Sequence, residues 1–314
     1  MRVIKFIFLT ASLVMAQSHP SWWGFASPDA TALVGIRWEA IQHSAFAEPI
    51  EAEFSGSLGF PDLDLFNNAR QILISSPATL AMLTGNFPVE TLRAQAAAKG
   101  LKPASHSGVE LWITPGKNTL SVAQISEQLI LLGSRKTLEA AIDRNLVETG
   151  TGRRYCPLLA RAARFAQTKD LWVVATRLPD PLASLFVPLE TEARGFEGGV
   201  SIREGGLQLE ASLDAGSEDA AAIIAENIRH TVPGLPVVAR GLMIVAETDH
   251  VLLTLDVGRT QLVAEMRQTD VVSNPQGPAA VAEPPKPTGP QIVRIFGLDE
   301  GTREIVLPPV KPEK

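Results

Sequence analysis

The chain has 314 residues, 45% of them hydrophobic, 20% charged and 6% aromatic. That is enough apolar material for one large domain or two ordinary ones, and too much for a chain disordered throughout. No apolar run reaches the roughly 20 residues a transmembrane helix needs, and a single cysteine excludes an internal disulfide framework, a Cys-rich zinc site and a CxxC redox pair. With 28 Lys and Arg against 34 Asp and Glu, a net charge of −6 leaves no global electrostatic footprint for nucleic acid.

Residues 1–16, MRVIKFIFLTASLVMA, read as a signal peptide. Arg2 and Lys5 make the positive start, Phe6 to Met15 the apolar stretch, and Val14 and Ala16 stand at −3 and −1 of a cut before Gln17. The expected mature chain is therefore periplasmic or secreted, and more acidic than the full chain because two cations leave with the leader. In an oxidising compartment a lone Cys cannot pair internally. Cys156 reads as a small buried hydrophobe at a helix start, although Arg153 and Arg154 beside it would favour a thiolate.

In chain order, Ala30 to Trp38 reads as a strand and Glu39 to Phe54 as a helix, with Ile41, Ala45, Phe46 and Ile50 along one side. Four strand–strand–helix units follow, at about 71–100, 119–146, 199–231 and 241–268. In each, a Gly closes the second strand and a helix opens after it: RKTLEAAIDRNL after Gly133-Ser134, EDAAAIIAENIRH after Gly216-Ser217. Ser134 and Ser217 are natural N-caps, and Gly133 and Gly216 are expected to supply positive φ at the strand-to-helix turn. The apolar stripes of the helices (Leu92 and Ala96; Leu138 and Ile142; Ile223, Ile224 and Ile228; Leu262 and Met266) predict an α+β fold, with antiparallel sheets and helices on one face. Residues 17–148 make a first α+β domain, 149–169 a linker and connecting helix, and 170–268 a second domain containing the strand DLWVVAT. Whether the two halves fold separately or share one sheet stays open.

From residue 269 to 290 the composition shifts to a Pro-rich linker, with six prolines between Asn274 and Pro290. Residues 291–314 form a tail in which IVRIF and REIVL flank Asp299-Glu300-Gly301 as a β-hairpin. A lone two-stranded hairpin is marginal in water, so residues 291–307 are expected to dock by β-addition, with Ile292, Arg294 and Phe296 on one face. Docking back onto a domain edge and docking onto a protein partner are left as equals.

Chemistry-bearing patterns are sparse. The histidines at 19, 43, 106, 230 and 250 lack ligand spacing. His19 is expected to be disordered, His230 to complement a helix C-terminus and His250 to sit in a turn. Ser55 to Gly59 lacks the GxSxG pattern. Thr149 to Arg154 is Gly-rich with two guanidiniums but lacks the Lys-Ser/Thr of a P-loop, and reads as a linker. Asp62 and Asp64 with Asn67 and Asn68 offer oxygens for Ca²⁺ but equally the ordinary caps of a turn. Trp112 and Trp172 read as core. Trp22 and Trp23 are expected to tuck into the domain rather than form a sugar platform, and Tyr155 is the only tyrosine.

The stretch PDATALVGI (Pro28–Ile36), the LGFPDLD segment before a strand and the recurring hairpin–Gly–helix resemble a group of uncharacterised secreted bacterial proteins with duplicated α+β domains. The resemblance implies a fold and transfers no catalytic residue. The reading that follows is an exported, non-enzymatic binding or scaffolding protein without a cofactor. It has a C-terminal interaction tail for a protein partner, no nucleic-acid partner and an unassigned small ligand. Two alternatives stand beside it: a carrier of an apolar ligand between helices and sheet, and a hydrolase whose site would join His43 or His106 to a carboxylate and a hydroxyl in a cleft.

Overall fold

The computed structural model describes residues 19–44, 46–56, 63–116, 120–146, 156–178, 193–262, 291–295 and 303–307. The expected signal peptide, the 149–154 loop and the 269–290 linker lie outside the described residues. Among those described, no helix is long and apolar enough to cross a membrane. The chain divides into two compact units, residues 1–265 and 266–314.

The first unit is built on one antiparallel sheet of twelve strands, in the order β11-β12-β10-β9-β8-β1-β2-β3-β7-β6-β5-β4. Strand β1 (Ala32–Ile36) is the centre. It pairs on one side with β2 (Ala69–Ser76), placing Leu33 against Ser75, and on the other with β8 (Leu171–Ala175), placing Gly35 against Trp172. The two halves of the sequence therefore share one sheet.

Both halves are wound by the same device. In the first, β3 (Leu80–Gly85) leads through helix α3 (Val89–Ala98) to the outermost strand β4 (Lys102–His106). The chain then returns inward through β5 (Val109–Ile113), β6 (Ser121–Ser126) and β7 (Leu129–Gly133), which closes on β3. In the second, β9 (Gly195–Arg203) and β10 (Gly206–Asp214) lead through α6 (Glu218–Thr231) to the outermost strand β11 (Met243–Glu247). β12 (His250–Gly258) then returns to close on β10.

The α+β class is as the sequence predicts, but the helices occupy both faces rather than one. Helices α1 (Trp38–Ile41) and α3 pack with Ile72, Ile74, Leu83, Ile130 and Leu132. Helices α4 (Arg135–Leu146) and α5 (Leu159–Ala166) pack with Leu33, Leu73, Met82 and Leu131 on the opposite face. The cause is in the strands. Leu80–Leu83 and Leu129–Leu132 are unbroken apolar runs, buried at every position, and a strand buried on both faces needs cover on both. Beyond β8 the α3 face is covered by α6, through Ala221, Ile224 and Ile228 against Leu213, Val251 and Leu253.

Three local expectations change. The single helix over 39–54 is two, α1 and α2 (Ala47–Gly56), because Pro49 has no N–H to give and fits only within a first turn. Gly216 has φ +71, as expected, and leads to Ser217, whose Oγ accepts from Ala220 N at 3.3 Å. Gly133 is ordinary strand backbone, without the expected positive φ; the helix after it starts from Ser134, whose Oγ accepts from Thr137 N at 3.2 Å. The third is an unforeseen hairpin, β4–β5, turned by Ser107 (φ 50) and Gly108 (φ 83).

The second unit is described only by β13 (Gln291–Ile295) and β14 (Arg303–Leu307), which pair antiparallel with Ile292 against Val306 and Arg294 against Glu304.

Candidate functional site

The densest aromatic cluster lies on the α4 face at the centre of the sheet. Residues 21–25 (SWWGF) form a turn of 3₁₀ helix that carries Trp23 inward, 3% exposed, onto Trp172 at a ring-centroid distance of 5.6 Å. Trp22 meets Trp23 edge-on at 6.0 Å, and His19 stacks on the Trp23 ring at 6.1 Å, so His19 is ordered rather than the disordered residue expected. Trp23 is tucked in as predicted, while Trp22 stays half-buried. Room for this stack comes from Gly35, directly across from Trp172: a Cβ there would lie 2.1 Å from the indole.

Trp22 lines two neighbouring spaces. One is a cavity of about 30 Å³ bordered by Trp23, Arg37, Lys169 and Trp172, large enough for a water molecule. Trp23 Nε1 and Arg37 Nε are buried here without a hydrogen-bond partner among the described residues. The other is an open cleft of about 690 Å³ at the ends of β2 and β3, lined by Trp22, Glu39, Arg70, Gln71, Asn86 and Gln128. Donors, acceptors and both charge signs line it beside the Trp22 ring, a chemistry that suits a polar ligand.

Beside the aromatic cluster, charged groups lock β8 to β9 and β10. Asp170, 7% exposed, holds Arg37 at 2.8 Å and accepts from Ile202 N at 2.7 Å. Lys169 crosses β9 over Gly199, where a Cβ would lie 2.6 Å from its Cγ, and reaches Glu210 at 2.6 Å. Glu197 takes Arg161 at 3.0 Å and Arg164 at 3.2 Å from α5. Each charge has its partner, so these groups read as clamps between strands.

The remaining candidates resolve individually. His106 Nε2 lies 2.7 Å from Asp143 Oδ1, and Ser107 Oγ donates to the same oxygen at 3.2 Å. Imidazole, carboxylate and hydroxyl thus do meet, at an exposed turn. A nucleophilic triad needs the imidazole between the acid and the hydroxyl; here the carboxylate stands between them, tying the β4–β5 turn to α4. His43 is exposed on the turn after α1. His230 sits 3.2 Å from Glu226 in the last turn of α6, and His250 pairs with Asp249 beside the β11–β12 turn. Asp64 Oδ1 accepts from the Asn67 side-chain amide and the Asp64 carbonyl from that of Asn68, bonds that tie the turn to itself; Asp62 lies outside the described residues. Ser55 and Gly56 end α2, and Tyr155 lies outside. Cys156 is 3% exposed, and burial pushes its thiol pKa up, away from a reactive thiolate. Among the described residues no group of three or more His, Cys, Asp or Glu is placed to hold a metal ion.

Of the tail residues, Ile292 and Arg294 lie in β13, in register with Val306 and Glu304 of β14. Phe296 lies outside the described residues. Strand β11 lies within the fourth expected unit, at 241–268; what the sequence reading missed is its place at the end of the sheet. It is an outermost strand, with Met243 63% and Val245 50% exposed; the apolar run LMIVAE ahead of an Asp-His turn marks the strand but not its edge position.

No protein-family model matches the chain, and a search of curated proteins gives no match. Among solved structures the chain is similar to crystal form I of TP0453, with TM-score 0.53 and 10% sequence identity over 80% of this chain and 98% of that one. Crystal form III of the same protein gives TM-score 0.46 at 10% identity, over 80% and 99% of the two chains. At this identity the likeness concerns the fold alone.

Proposed function

We propose that this chain is an exported, non-enzymatic binding or scaffolding protein, in which the twelve-stranded unit is the body and the C-terminal hairpin the interaction tail. One observation carries the reading: β13 and β14 pair with each other in a unit of their own, separated from the last described helical turn at 259–262 by the Pro-rich stretch. A hairpin on such a tether offers two strand edges to another sheet. Extended at about 3.1 Å per residue, the 274–290 stretch reaches on the order of 50 Å, long for a hairpin that merely continues an adjacent strand. The signal-like start, and the resemblance to secreted proteins of duplicated α+β domains, support a binding role in the periplasm or outside the cell.

The test is capture from an envelope extract with the full chain and with a chain lacking residues 273–314, alongside thermal melting of both. The proposal expects a partner retained by the full chain only and an unchanged melting temperature. A large drop in melting temperature with capture unchanged makes the tail a structural strap and ends the reading.

A further inference from the structure

The two outermost strands of the sheet are finished differently. In β4 the two-residue turn Ser107-Gly108 makes His106 and Val109 a hydrogen-bonded pair, so by alternation Pro103 and Ser105 face away from the sheet. Pro103 has no N–H to offer, and Lys102 precedes it; both are devices that blunt an edge against pairing. In β11 the turn Thr248-Asp249 makes Glu247 and His250 the closing pair, so Ile244 and Ala246 face outward. Here there is no proline, no lysine and no bulge, and two of the protein's exposed large hydrophobics, Met243 and Val245, stand on this one strand. The single outward group with a described partner is Ile244 O, which accepts from Arg229 Nη2 at 3.1 Å and keeps a second lone pair.

The sequence of β11 is self-complementary. Set antiparallel to a copy of itself about a two-fold axis at Val245, Ile244 of each strand faces Ala246 of the other. All four outward N–H and C=O groups of each strand are then used in four hydrogen bonds. Val245 meets Val245 on the axis, and Glu247 faces the exposed Met243 rather than another carboxylate, so no like charges oppose. We propose that β11 is a self-association edge: two copies of this chain pair through Met243–Glu247, joining two twelve-stranded sheets into one around a two-fold axis. The interface is independent of the tail's proposed role. A five-residue edge buries less than the roughly 1,200 Å² of a standard interface, so the association is weak and reversible.

The test is sedimentation equilibrium of the full chain over roughly 1–500 µM, the range in which an interface this small associates. The wild type is expected to show a monomer–dimer equilibrium. Ala246→Pro, which copies the finish of β4 while sparing the bonds to β12, is expected to shift the midpoint at least tenfold upward without changing the circular dichroism spectrum. Val245→Lys and Val245→Glu, at an exposed position, should each be monomeric alone and associate when mixed, because the axis sets position 245 against itself. Four results overturn the proposal: a monomeric wild type throughout the range, a midpoint unmoved by Ala246→Pro, charge variants that do not associate on mixing, or a dimer that forms only after residues 269–314 are removed, which assigns the edge to the chain's own tail.

Discussion

Gly35→Ala adds one carbon atom to β1 and should be among the costliest conservative substitutions in the protein. The new Cβ would lie 2.1 Å from two carbons of the Trp172 indole, 3% exposed in the core. Neither side can yield cheaply. Gly35 is held between β2 and β8, and the indole is backed by Trp23. Overpacking of this kind costs about 1–3 kcal/mol, and a flat ring with an aromatic neighbour behind it puts Gly35→Ala at the upper end. Trp172→Leu alone should cost about 3 kcal/mol through lost contact and a partly refilled cavity. In the double variant the obstruction is gone, so the pair should recover about 1.5–3 kcal/mol relative to the sum of the singles, as residues in direct contact do. Urea titration followed by far-ultraviolet circular dichroism gives the four stabilities, with unchanged m-values required for the cycle to close. Additivity within about 0.5 kcal/mol would refute the packing argument.

Ser217→Ala should remove the cap on α6 and lower stability by about 1 kcal/mol in the same titration, with Ser217→Asp retaining most of it. Gly216→Val should cost about 1–3 kcal/mol, since its φ of +71 is strained for a side chain and the Cβ also meets the Arg194 guanidinium at 2.7 Å. Gly133→Ala should cost visibly less, its nearest obstacle being Thr79 O at 3.2 Å; equal losses would return both glycines to one cause. Cys156 should react with a thiol reagent only as fast as the protein opens. Its folded-state pKa lies above the unfolded value of about 8.5. Its contribution is therefore intact below that pH and is lost as the pH rises through the window above it, where the unfolded chain ionises first. Cys156→Ala should remove that part of the alkaline decline.

Several apolar strands were legible in the sequence: Gln71–Ser75, Leu80–Thr84, Leu129–Leu132 and Val251–Val257 all lie in strands. What escaped did so for physical reasons. β4 reads Lys-Pro-Ala-Ser-His because an edge strand exposed along most of its length needs no apolar alternation. The start of β9 was hidden by Gly198 and Gly199, which look like a loop; one lies against Ala211 Cβ and the other lets the Lys169 stem cross to Glu210. Two-sided cover was legible in the unbroken runs of β3 and β7, and placing all the helices on one face passed over it. The meeting of Trp23 with Trp172 had no sequence signal, because it depends on β1 and β8 being neighbours though well over a hundred residues apart.

That same adjacency sets an order of events during synthesis. Strand β1 is among the first segments made, and β2 to β7 can assemble beside it as they emerge. Its other flank must wait for β8, over a hundred residues later. Until then the nascent chain carries an open strand at what will become its centre, with Leu33 and Gly35 on a face that α4, α5 and Trp172 help to close. The intermediate most exposed to mispairing is thus a nearly complete first half. A chaperone or translocation channel that holds residues 32–36 until Leu171–Ala175 arrive would protect the one strand on which both halves depend.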